Sequence, residues 1–230
     1  SVVFTIDVEV AGDATGVIEN TAELTAARDP DNPSQSDTET SVSSTVADLA
    51  ITKDDGLSEI DGLHGARAVA ATGAFVYVAA PDDNAIGVFS RNFDQGTPGH
   101  GALEFVEAVR NGENGVDGLG RVSDIALTGD RAHVYTTSPL ANSLTVFERN
   151  AAGGGLDFLE VQQNGVLGVS GISGASALAL SGDDAHVYVT GRFSNAVSTF
   201  ARQVDPLSPD FGMLEFVDAD QNGLDGVAGM

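Results

Sequence analysis

The stretch His186-Val187-Tyr188-Val189-Thr190-Gly191-Arg192-Phe193-Ser194-Asn195-Ala196-Val197-Ser198-Thr199-Phe200-Ala201-Arg202 is the clearest copy of a pattern this chain writes three times. Phe75-Val76-Tyr77-Val78 and His133-Val134-Tyr135-Thr136 match its opening and carry the other two tyrosines, so Tyr77, Tyr135 and Tyr188 are equivalent positions. Twelve residues past each tyrosine comes Phe-X-Arg, as Phe89/Arg91, Phe147/Arg149 and Phe200/Arg202. An asparagine precedes each phenylalanine by five, at Asn84, Asn142 and Asn195. Short β-branched and aromatic runs between Gly and Asn punctuation read as strands, and a long-period repeat outranks any single local signal.

Further landmarks extend the unit. Leu103-Glu104-Phe105, Leu156-Asp157-Phe158 and Leu214-Glu215-Phe216 each open a later strand. Asn111-Gly112, Asn164-Gly165 and Asn222-Gly223 follow, then Asp117-Gly118-Leu119, Ser170-Gly171-Ile172 and Ala228-Gly229-Met230. Length varies only between the third and fourth strands, at 92–102, 150–155 and 203–213. A loop absorbs insertions there, whereas one extra residue inside a strand turns every later side chain to the other face. Each unit reads as four antiparallel strands, which in the first are 66–71, 74–79, 85–91 and 103–109. Four short strands per repeat with Gly-rich turns mark a β-propeller blade.

The predicted fold class is therefore all-β: an incomplete β-propeller of about three four-stranded blades over residues 48–230, after a partial immunoglobulin-like β-sandwich over 1–47. The repeats run over 61–116, 117–169 and 170–227, and 48–54 reads as a closing strand ahead of them, a stretch that the preceding sandwich can also claim. In 1–47, Phe4 to Val10 alternates in the period-2 manner of a strand, and the Pro-bearing run Arg28 to Asp37 is a loop. Three blades fall short of the roughly four to eight of a closed ring, so the remaining blades of a longer chain are the expected partners.

Acids number 34 against 10 Lys and Arg, a formal charge of −24. That excludes nucleic acid, which needs clustered cations, and argues against an anionic membrane surface. Cysteine is absent, and no apolar run reaches the ~18–20 residues of a membrane span. A protein or carbohydrate ligand is what the balance leaves.

Asp61-Gly62-Leu63-His64-Gly65-Ala66, with His186 to Val189, Asn195-Ala196-Val197 and Phe200-X-Arg202, resembles lactonase-type propeller repeats related to 6-phosphogluconolactonase. The resemblance implies a usually seven-bladed ring and a sugar-lactone hydrolase as one function. Phe4 to Val10, Gly16 to Ala22 and Asp29-Pro30-Asp31-Asn32 resemble a bacterial surface repeat, domain of unknown function eleven, also a β-sandwich. That second resemblance implies an extracellular or cell-surface protein and a non-catalytic binding or adhesive scaffold. The scaffold is the leading expectation and the lactone hydrolase its alternative.

Among candidate chemical groups, Asp218-Ala219-Asp220-Gln221-Asn222-Gly223 matches the D-x-D-x-N-G opening of a calcium loop, making Asp218, Asp220 and Asn222 the metal candidates. Asn-Gly is also an ordinary hairpin turn. Asp82, Asp83, Glu113 and Asp117 are the loop carboxylates suited to ligand binding, and His64 and His100 sit beside glycine turns. The repeated Arg91, Arg149 and Arg202 read as ion pairs to Glu104, Asp157 and Glu215 on the next strand. The tyrosines read as blade-interface core. No activated nucleophile is assignable, because no Gly-X-Ser-X-Gly elbow occurs.

Overall fold

The computed structural model describes residues 60–96 and 99–223, all in the compact unit Ser58–Met230. The sandwich half, the closing strand at 48–54 and the last seven residues lie outside the described residues. Twelve strands form three antiparallel sheets, each in simple meander order. The first blade is β1 (Ala68–Ala71), β2 (Phe75–Ala80), β3 (Ala85–Arg91) and β4 (Leu103–Arg110). The second is β5 (Asp124–Leu127), β6 (His133–Ser138), β7 (Ser143–Arg149) and β8 (Leu156–Gln163). The third is β9 (Ala175–Leu180), β10 (His186–Gly191), β11 (Ala196–Arg202) and β12 (Leu214–Gln221). No helix occurs among the described residues. Strand β1 packs on β5, and β5 on β9, so the first strands gather on the inner side and the fourth strands lie outermost.

The repeated phenylalanines set the register of each blade. Phe89 faces Phe105, Phe147 faces Phe158, and Phe200 faces Phe216, with ring centroids 5.7, 6.0 and 5.5 Å apart in edge-to-face contact. Such pairs add about 0.5–1.5 kcal/mol beyond the area they bury. A β-bulge follows every pair at the same place, between Val88/Phe89, Val146/Phe147 and Thr199/Phe200. The pair and bulge hold phase although the loop before the fourth strand differs in length, because insertions outside the ladder leave its pairing untouched.

Each core lies between two blades rather than within one. Tyr77, Ile86 and Val88 pack with Leu119, Val122 and Phe147, while Tyr135, Leu144 and Val146 pack with Ile172, Val187 and Phe200. Polar latches accompany these apolar layers. The Tyr77 hydroxyl donates to the Gly154 carbonyl at 2.9 Å, and the Tyr135 hydroxyl to the Gly212 carbonyl at 2.6 Å. Both glycines have positive φ, and a Cβ would strike Phe75 at Gly154 and His133 at Gly212. Farther out, Glu107 accepts from Leu156 N at 2.9 Å, and Glu160 from Leu214 N at 2.5 Å.

Two sequence expectations need correction. The arginines do not pair with Glu104, Asp157 and Glu215: Arg91 faces Leu103, Arg149 faces Leu156 and Arg202 faces Leu214. Each acid is one residue further along and therefore on the opposite face of the sheet. The arginines turn to neighbouring blades or to other groups instead. Asn111-Gly112 and Asn164-Gly165 do not close hairpins; they begin the connection to the next blade, where Asn111 Oδ1 caps Leu119 N and Asn164 Oδ1 caps Ile172 N. Asp218 and Asp220 lie within strand β12, opposite Thr199 and Val197. Asp218 occupies the place of Glu107 and Glu160 after the bulge, and no cluster of three metal-ligating side chains occurs among the described residues.

Candidate functional site

Register divides the connections between two faces. Ala68 pairs with Ala79, and Ala85 with Arg110, so the loop leading into β1, the β2–β3 turn and the exit from β4 share one face. The β1–β2 turn and the long β3–β4 loop share the other. On the first face the backbone repeats while the side chains do not. Asn84, Asn142 and Asn195 hold the same left-handed turn position, with φ of 51°, 54° and 49°. Asn84 Oδ1 accepts from Arg121 N at 2.8 Å, and Asn142 Oδ1 from Gly174 N at 2.7 Å, tying each turn to the next blade's lead-in loop. Around these fixed points, Asp82 gives way to Leu140 and Phe193, Asp83 to Ala141 and Ser194, and His64 to Gly120 and Ser173. Positions that vary on a repeated scaffold are free to specialise.

The first and second blades bring four such groups together. Asp83 Oδ2 accepts from His64 N at 2.8 Å, and its other oxygen lies 4.0 Å from His64 Nδ1. Asp82 Oδ1 accepts from Arg121 NH2 at 3.3 Å. Arg121 has φ of 57° where the equivalent Gly65 and Gly174 have 74° and 66°. A left-handed residue other than Gly or Asn carries strain of order 1–3 kcal/mol, tolerated where its side chain is needed. The result is an imidazole, two carboxylates and a guanidinium on one accessible face. Beside them on the same face lie Leu140 and Phe193, the latter 63% exposed with the Arg192 guanidinium 4.8 Å from its ring centroid.

The other carboxylates named from sequence go elsewhere. Asp117 Oδ1 accepts from Gly118 N at 2.7 Å, stabilising the turn where Gly118 lies too close to Thr145 and Val161 for any side chain. Glu113 follows the outermost strand and lines a shallow concavity of about 260 Å³ with Glu107, Arg110 and Phe158. A second concavity of similar size lies along Val106, Asn150 and Leu156. Both sit on the outer side of the blades. Among the repeat positions, Tyr77 and Tyr135 are fully buried, whereas Tyr188 is 39% exposed. Arg91 lies over the Phe93 ring at 4.4 Å, and Arg149 Nε donates to the Arg131 carbonyl at 2.6 Å.

The opposite face holds a polar cluster that sequence reasoning passed over. Arg202 Nε donates to the Tyr135 hydroxyl at 2.9 Å, and its NH2 reaches Asp130 Oδ2 at 3.1 Å and His133 Nδ1 at 3.0 Å. Arginine only donates, so Nδ1 of His133 is the acceptor and the ring is neutral. Burial, with help from the Arg202 charge, holds the His133 pKa below the ordinary imidazole value. Burial pushes Asp130 up, but hydrogen bonds from Thr128, Ala132 and Arg202 outweigh it and leave the carboxyl below the usual range. Burial likewise raises Glu160 and Tyr135. This cluster binds blade to blade, and the matching appearance of His133 and Phe75 shows that the interface accepts an aromatic without acid–base chemistry.

Comparison with known proteins agrees with this architecture. The family model described as lactonase, seven-bladed β-propeller matches residues 64–168, which include His64, Asp82, Asp83 and Arg121. No curated protein matches the chain. A Bacteroides uniformis protein provisionally assigned as a 6-phosphogluconolactonase is similar at 19% identity and a TM-score of 0.53, covering 69% of this chain and 41% of its own. A Lactobacillus plantarum protein is similar at 17% identity and TM-score 0.51, with 68% and 42% covered. A periplasmic gluconolactonase of Pseudomonas aeruginosa is 22% identical, at TM-score 0.49 over 68% of this chain and 38% of its own. The chain thus spans about two fifths of the length of the first of these structures. At such identities the likeness to the Bacteroides uniformis and Lactobacillus plantarum structures speaks to the fold alone.

Proposed function

We propose that the face carrying His64, Asp82, Asp83 and Arg121 binds a sugar lactone in a lactonase-type propeller and promotes its hydrolysis. The single observation behind this reading is the meeting of an imidazole 4.0 Å from a carboxylate and a positive-φ arginine on a second carboxylate, within the segment that matches the lactonase family. In this reading Asp83 fixes the His64 main chain through its 2.8 Å hydrogen bond, and the exposed imidazole, 4.0 Å from the other carboxylate oxygen, takes a proton from an attacking water. Arg121 stabilises the negative charge on the carbonyl oxygen as water adds. The ring oxygen then leaves as an alcohol, taking up a proton, and the acyl carbon becomes a carboxylic acid. Phe193 on the same face offers an aromatic surface of the kind sugars stack against.

The test is hydrolysis of glucono-δ-lactone followed in a pH-stat, corrected for the spontaneous rate. Turnover that falls about a hundredfold in His64→Gln, and is also lost in Arg121→Gly, supports the reading. Turnover equal in all three proteins overturns it. A non-catalytic binding scaffold is the second reading. Saturable binding of the lactone without turnover would select it.

A further inference from the structure

Four hydroxyls line one face of the second blade at places that are almost wholly apolar in the other two. Thr136 and Ser138, one and three residues past the repeated tyrosine, correspond to Val78 and Ala80 in the first blade and to Val189 and Gly191 in the third. Ser143 and Thr145, before the repeated phenylalanine, correspond to Ala85 and Gly87 and to Ala196 and Ser198. Register sets them side by side, Thr136 opposite Thr145 and Ser138 opposite Ser143. Thr136 is also opposite Ile125, which belongs with Ile86, Leu119 and Phe147 to the core between the first and second blades. The four hydroxyls therefore face the first blade, and all four residues are fully buried.

Two of them have protein partners. Ser143 Oγ donates to Gly118 O at 2.6 Å and Thr145 Oγ1 to Asp117 O at 3.5 Å, so the lead-in segment rests on this pair. Thr136 Oγ1 and Ser138 Oγ have no hydrogen-bond partner among the described residues. A buried hydroxyl left without a partner forfeits its hydration and gains nothing in return. Blade construction does not demand the pair, since valine, alanine or glycine serves at the same places in the other blades.

We propose that Thr136 and Ser138 together hold an ordered water molecule in the seam between the first and second blades. Two residues apart on one strand face, their Cα atoms lie about 6.4–6.8 Å from each other, a span that one water bridges with two O–H···O bonds of about 2.7–2.8 Å once the hydroxyls lean inward. Thr145 supplies a third contact, because donating to Asp117 O leaves its own lone pairs free to accept. Three partners is the ordinary complement of an interior water. Water also fits the chemistry: hydroxyls both donate and accept, while Ile86, Leu119 and Ile125 around them offer no charge to balance an ion. The site pins the same blade contact that Asp82 and Arg121 span at the surface.

A high-resolution crystal structure of the intact chain tests this, together with melting curves of Thr136→Val and Ser138→Ala, which carry the first blade's residues at these two places. The expected structure shows a water within hydrogen-bond distance of both Oγ atoms, and each variant melts about 2–4 °C below the wild type. The double variant loses less than the two single losses combined, because either change removes a partner of the same water. Valine keeps the shape of threonine, so a hydroxyl with no partner gives the opposite sign and Thr136→Val then melts higher. A Thr136→Val chain that melts as high as the wild type or higher overturns the proposal. A crystal structure with no water between the two hydroxyls overturns it as well, and so do single losses that simply add.

Discussion

Arg202 Nε donates to the Tyr135 hydroxyl at 2.9 Å, and that hydroxyl in turn donates to the Gly212 carbonyl, so one buried phenol joins a strand end and a loop of the next blade. The Arg202 side chain is 2% exposed and its partner Asp130 41%, so the ion pair is half-screened while the guanidinium is buried. Such a charge is costly unless its donors are satisfied, and here Asp130, His133 and Tyr135 together satisfy them.

Arg202→Ala leaves three polar groups without their common partner. The expected loss is about 2–4 kcal/mol of unfolding free energy, read from urea melts. Arg202→Lys recovers only part of it, since an ammonium lacks the fork that spans the three acceptors. A loss of a few tenths would show that the cluster is ornamental to stability.

Glycine substitutions separate backbone strain from crowding. Gly101→Ala meets open space and has only its positive φ to overcome, about 1 kcal/mol. Gly212→Ala and Gly154→Ala add a collision with His133 or Phe75 and should cost at least about 2–3 kcal/mol. Equal melting temperatures for the three variants would contradict the inter-blade packing.

His133 gives stability a defined pH dependence. Its folded pKa is lowered from 6.5, so the unfolded chain binds the proton more readily. Its stabilisation is complete above pH 6.5 and declines as pH falls through that value toward the lowered one. Asp130, also lowered, loses its contribution only at more acid pH, below 3.8. Glu160 is raised and works in the opposite sense, favouring the folded state at low pH and losing that contribution as pH rises. The melting temperature should therefore fall between pH 7 and about 5.5, and His133→Phe should flatten this fall, as Phe75 fills the same place in the first blade. Calorimetry across that range checks it; an unchanged slope in the variant refutes it.

Arg121→Gly exchanges function for stability. Glycine is the residue of the two equivalent positions and relieves the positive φ, so the variant should gain about 0.5–1 kcal/mol while losing lactone binding. A variant both less stable and still active would remove Arg121 from the site.

Much of this architecture is local and therefore legible in the chain itself. Tyr77, Tyr135 and Tyr188 keep a fixed distance from Phe89, Phe147 and Phe200 because both lie on one hairpin, whose tight turn fixes the count. Strand number and the variable loop follow from that arithmetic. The arginine partners were not legible. Arg91 and Glu104 are neighbours in register, but the period of two sends them to opposite faces, and only the stacking of blades decides that Arg202 meets Asp130, 72 residues away. The candidate site depended on tertiary structure in the same way. Asp82 and Asp83 stood out as loop carboxylates, whereas Arg121 carries no motif. It joins Asp82 across 39 residues because Asn84 ties one blade's turn to the next blade's lead-in loop. Sequence alone determined the repeated unit, since hydrophobic alternation and turn chemistry act over a few residues; which side chains meet between units was decided by packing, which acts only once the sheets are stacked.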